Sequence, residues 1–205
     1  MKNMLRLTLV AMLLIACKDA NQAKTMEGAV NEAIGNNEDV NQKYDHLLKE
    51  LNKITPLTNA QLLKAFPEKL GNLSLDASGK GSNETRITSS ETVVGSFGDN
   101  KVRMEILDAA GKNAYGAIIP LKMLQLNKVT SESNNTIRYS KKERNALLIF
   151  GTDRDEDTKA DYQSELRLLY DNRFYITLEG KQMQVDELWG AINMDDLTRF
   201  KDYNQ

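Results

Sequence analysis

Two runs of strict alternation constrain this chain most. In one, Val102, Met104 and Ile106 alternate with Lys101, Arg103 and Glu105; in the other, Phe174, Ile176 and Leu178 take every second place between Arg173 and Glu179. Successive side chains of a strand point to opposite faces, so each run offers one apolar face that must be covered and one polar face that need not be. Short turn signals lie beside both. Gly98-Asp99-Asn100 separates Lys101–Leu107 from Glu91–Phe97, and Asp171-Asn172 separates Glu165–Tyr170 from Arg173–Glu179. Turns of that length join antiparallel neighbours. The expectation is a hairpin with one wet face over 91–107 and, with Thr136–Tyr139 and Ala146–Thr152 as further strands, an antiparallel meander over 136–179.

Helical spacing brackets these strands. Val40, Tyr44, Leu47, Leu48 and Leu51 share one face of an amphipathic helix, with His46, the only histidine, on the polar side. Thr58 can cap a second helix, Gln61 can close its capping box, Leu57 can staple onto Leu62, and Pro67 ends it. Tyr115, Ile118, Ile119, Met123 and Leu126 predict a helix over 113–127 in which Pro120 introduces a kink or a break. Val185, Leu188, Trp189 and Ile192 predict a closing helix with Trp189 in the core, followed by a turn that carries Leu197 and Phe200 inward. The fold class is therefore α+β: a single antiparallel β-sheet with packed helices. Its element order is similar to that of small PsbP-like periplasmic domains, a likeness that implies no activity.

The amino terminus follows different rules. Met1-Lys2 and Arg6 precede the uncharged run Leu7–Ala16, about half of the ~20 residues that span a bilayer, which is the layout of a secretory leader. Its end, Leu14-Ile15-Ala16-Cys17, resembles the bacterial lipobox, with Ile15 where Ala or Ser is commoner. The resemblance covers the first seventeen residues. It implies cleavage before Cys17, lipidation of the Cys17 thiol and durable tethering, because more than one acyl chain makes anchoring stable. Lys18 stands where aspartate would retain an enterobacterial lipoprotein in the inner membrane, which implies the outer membrane, at its periplasmic face or at the cell surface. On this reading 1–16 is the signal peptide, 17–39 a lipidated cysteine and polar tether, and 40–205 a single globular domain.

The chain carries 27 basic and 29 acidic residues, and loss of Lys2 and Arg6 takes its net charge from −2 to about −4. Charges are interspersed, so no basic field is offered to nucleic acid. The lone cysteine leaves no intrachain disulfide, and the domain must be held by its core.

Few residues suggest chemistry. In the run 153–161, Asp153, Asp155, Asp157 and Asp161 match ligand positions of a calcium loop, but Thr158 replaces the turn glycine and Ser164 the bidentate glutamate. A solvated acidic connection between strands explains the run better. The run 77–82 misses a phosphate-binding loop twice, with Ser74 for the first glycine and Gly81 for the hydroxyl residue. There is no Gly-x-Ser-x-Gly elbow, and His46 lacks partners for a triad or a zinc site. No catalytic residue, metal or cofactor is expected. The leading expectation is a non-catalytic binding or interaction module of the envelope, using the sheet face or a groove beside the central helix, with an envelope protein as a candidate partner. An immunity-type lipoprotein that blocks a toxin is the alternative, and a hydrolase with an unfamiliar site the second.

Overall fold

The structure, a computed structural model, describes residues 37–76, 85–88, 91–126, 137–155 and 160–203. Its main sheet runs from edge to edge as β3 (Arg86–Ile87), β4 (Thr92–Phe97), β5 (Val102–Asp108), β9 (Phe174–Gly180), β8 (Ser164–Tyr170), β7 (Leu147–Arg154) and β6 (Ile137–Arg144), all neighbours antiparallel. A separate ribbon of β1 (Lys69–Leu70) and β2 (Leu73–Ser74) makes two sheets where one was expected. The ribbon strands are too short to show a period. They turn at Gly71, whose φ of 55° suits glycine and whose absent Cβ would stand 2.5 Å from the Ala191 carbonyl oxygen.

The alternating runs behave as their period requires. Val102, Met104, Ile106, Phe174, Ile176 and Leu178 are all buried, and Leu166, Leu168 and Ile149 extend the same face across β8 and β7. The wet face holds for β5 alone, because β4 is buried on both sides, including Val94 and Ser96. Asp171 and Asn172 both adopt left-handed backbone (φ 52° and 54°), and the Arg173 N–H closes the turn on the Tyr170 carbonyl at 3.1 Å. Register pairs Tyr170 with Phe174, so Arg173 is the last turn residue rather than the first of the strand.

Helix α1 (Glu38–Leu51) begins within the stretch expected to be tether, its first turn capped by the Asn37 side chain, which accepts from Val40 N at 3.2 Å. Asn37–Gln205 forms one compact unit. Helix α2 (Asn59–Ala65) has the anticipated capping box between Thr58 and Gln61, and Leu57 and Leu62 join the same apolar cluster. With α4 (Val185–Gly190), α5 (Thr198–Lys201) and the turn Met194–Leu197, α2 covers the first face of the sheet, where Leu188, Leu197 and Phe200 have no exposed surface. Trp189 is half-buried at the margin of this core, with the Arg144 guanidinium 5.9 Å from its ring, instead of inside it.

The second face is covered by α1 and by α3 (Ala114–Leu126), which remains one helix through Pro120. Ala114, Ala117, Ile118 and Leu121 point inward, whereas Tyr115, Ile119 and Met123, expected inside, form an exposed stripe. The helix is apolar on both sides, so spacing alone does not choose its inner face. The small alanines admit Tyr44, Leu48 and Leu51 of α1.

Where β5 ends, Asp108 and Arg173 form a buried pair with side-chain exposures of 1% and 4%. Arg173 donates from Nε to Asp108 Oδ1 at 2.7 Å and from Nη2 to Oδ2 at 2.8 Å, and its Nη1 donates to the Tyr203 carbonyl at 2.9 Å. Leu57 N donates to Asp108 Oδ2 at 2.7 Å, and Ala110 N to Oδ1 at 3.2 Å. Removing one member of such a pair strands a charge, while removing both does not. Arg173→Ala is expected to lower stability by about 3–5 kcal/mol in urea unfolding, and Asp108→Leu with Arg173→Met to recover most of that loss.

Burial also pushes the Tyr44 phenol up to about 12. Its pKa is raised on folding, so the packing of Tyr44 is fully retained below the unfolded value near 10 and lost as pH rises toward 12. About 2–3 kcal/mol should disappear across that window, and Tyr44→Phe should abolish this component of the alkaline loss in pH-dependent urea titrations.

Candidate binding groove

Strand register lays the second face out in rungs. Leu107, Tyr175 and Leu169 form one rung, and with Leu148 they pack under α1 and α3. The next is Glu105, Thr177, Arg167, Phe150 and Lys141; the next again is Arg103, Glu179, Glu165, Thr152 and Tyr139. Apolar side chains thus give way to charged ones over two rungs. Helix α3 covers the apolar rung, and a cleft of about 330 Å³ opens between Leu124 on α3 and the polar rungs of β6, β7 and β8.

The apolar residues Leu124, Ile137 and Phe150 line the cleft, with the hydroxyl residues Tyr139 and Thr152, while the Ser140 hydroxyl lies on the other face beside Gly151 and Val185. Its charged part is Glu165 between two arginines. Arg167 Nε lies 2.6 Å from Glu165 Oε1, and Arg154 Nη2 lies 3.5 Å from Oε2. The Glu165 side chain is 11% exposed, while Arg154 and Arg167 reach 26% and 37%, so the guanidinium groups lie nearer solvent than the carboxylate they share. Burial lowers the pKa of the Arg167 guanidinium, but the Glu165 charge and the Tyr175 phenol beside it more than offset this and hold it above its ordinary value. Burial raises the Tyr175 phenol in turn, with Arg167 opposing. Lys141 Nζ donates to the Gln125 carbonyl at 3.1 Å and bridges β6 to the end of α3.

The residues singled out in the sequence are scattered. Asp153 Oδ1 accepts from Val185 N at 2.7 Å and so tethers the start of α4, and Asp155 is paired with Arg138 at 2.6 Å. Asp161 is exposed before β8, facing a second depression shared with Asp99, Asn100 and Lys181, and Asp157 and Thr158 lie outside the described residues. Among the described residues no group of three or more His, Cys, Asp or Glu side chains is placed to hold a metal ion. His46 is exposed on α1. Cys17, the leader and Gly81 also lie outside the described residues, and among those described no helix is long and apolar enough to cross a membrane.

Arg154, Glu165 and Arg167 were not singled out by sequence reasoning. The alternation in Glu165–Tyr170 does place Glu165 and Arg167 on the polar side, but Arg154 joins them only through the β7–β8 register.

No family model, curated protein or solved structure matches this chain. The cleft is therefore read from its own chemistry. Glu165→Gln removes the carboxylate that separates two guanidiniums, and it should cost about 1 kcal/mol in urea unfolding, the upper range for ion pairs whose cations reach water.

Proposed function

We propose that this chain is a bacterial envelope lipoprotein, cleaved before Cys17 and lipid-anchored there, whose domain is a non-catalytic binding module. The binding half rests on one observation, the cleft beside α3. Its volume of about 330 Å³ falls in the range of small-molecule sites, and its lining joins an apolar wall to a few convergent polar groups. The anchoring half rests on Leu14-Ile15-Ala16-Cys17 behind a short apolar run with Lys2 and Arg6 before it. In this reading residues 18–36 space the domain from the lipid surface, Lys18 directs it to the outer membrane, and an envelope component supplies the ligand.

Membrane fractionation with intact-mass analysis tests the anchor. The wild-type chain should sediment with membranes and carry acyl mass on Cys17, and Cys17→Ala should lose both. An unlipidated, soluble wild-type protein would sink the lipoprotein reading.

A further inference from the structure

We infer that the cleft beside α3 recognises an amphipathic carboxylate: a small molecule whose anionic head seats on Arg154 and Arg167 and whose apolar body lies against Leu124, Ile137 and Phe150. The inference rests on the binding-module reading and specifies its ligand class. The first ground is charge. Among the described residues, two guanidiniums and Lys141 line the cleft against one carboxylate, Glu165, which leaves an excess of positive charge in a partly enclosed space. Each guanidinium carries more N–H donors than one carboxylate can accept from, and the planar fork leaves donors for a second carboxylate.

The second ground is depth. Glu165 sits at the floor, on a strand buried on both sides over Ser164–Leu166, and holds the two arginines from beneath. Both arginine side chains reach water more than the Glu165 side chain does. The repulsion from Glu165 is outweighed by two cations, and the arginines are already oriented, so binding orders little. The third ground is the apolar wall. Phe150 is buried beside Arg167 across β7 and β8, Ile137 pairs with Arg154 across β6 and β7, and Leu124 lines the cleft from α3, so each guanidinium has an apolar neighbour for the body of a ligand. A free inorganic anion would leave that wall unused, and a neutral apolar ligand would leave the guanidiniums under-neutralised.

The test uses the full chain carrying Cys17→Ala, so that no acyl group of its own competes, with hexanoate, hexanamide and hexylammonium as probes followed by amide chemical shifts. Hexanoate should shift Thr152, Arg154 and Arg167 saturably and bind about tenfold or more tightly than hexanamide, with hexylammonium inert. Arg154→Gln should remove that preference while hexanamide binding changes little; this position decides the matter if Arg167→Gln fails to fold. Equal binding of hexanoate and hexanamide at the cleft would overturn the carboxylate assignment and leave the binding reading standing. No shift at the cleft with any probe would overturn both.

Discussion

The Asp108–Arg173 pair is the contact on which the two sides of this molecule depend. Both side chains are almost fully withdrawn from water, where an unmet charge is expensive and mutual attraction only repays the cost if every remaining donor and acceptor is used. Both carboxylate oxygens and four of the five guanidinium N–H groups are used here, with backbone from three other places: Leu57 and Ala110 donate to Asp108, while the Thr55 and Tyr203 carbonyls accept from Arg173. The Thr55–Leu57 segment follows α1, which belongs to the second face, and Tyr203 follows α5, which belongs to the first. One ion pair therefore indexes both helical layers against the end of β5. Because desolvation offsets much of the attraction in a pair of this kind, its presence is weak evidence of net stabilisation.

The groove follows from how far that second layer reaches. Packing of α1 and α3 covers the rung of Leu107, Tyr175 and Leu169 and reaches Phe150 of the next, and among the described residues no further helix stands over the arginine and glutamate at the β8 end of the polar rungs. On the first face no such boundary exists. There β4 to β9 present apolar residues without interruption, and α2, α4 and α5 close over them. The asymmetry is written in the strands themselves, since the same alternation that fills one face with Met104, Ile106, Leu166 and Leu178 places Arg103, Glu105, Glu165 and Glu179 on the other.

What could be read beforehand was what local chemistry decides. The Thr58 capping box needs only residues three apart, and the Phe174, Ile176 and Leu178 stripe needs only period two; both appear as expected. What escaped was set by distant partners or by position in the sheet. Lys141-Lys142-Glu143-Arg144 does not look like a strand, yet it completes β6 at the sheet edge, where charged side chains are tolerated. Its turn uses Asn145 and Ala146 at φ of 51° and 60°, and the alanine gives no hint of left-handed backbone. Arg173 and Asp108 are 65 residues apart, and the acidic run after β7 spends Asp153 on a backbone N–H of α4. None of these pairings has a sequence period.

The position of the Asp108–Arg173 node gives the domain a mechanical order. A pull delivered through the chain at Asn37 reaches α1 first, and α1 is held on the sheet by apolar packing of Tyr44, Leu48 and Leu51. Such packing yields by peeling, a few side chains at a time. Just beyond α1 the strand register is guarded by the short hydrogen bond from Leu57 to Asp108 and by the grip of Arg173 on the Thr55 carbonyl. A load applied at Asn37 would therefore meet the packed side chains of α1 before it met the hydrogen bonds that hold Thr55 and Leu57 to the end of β5.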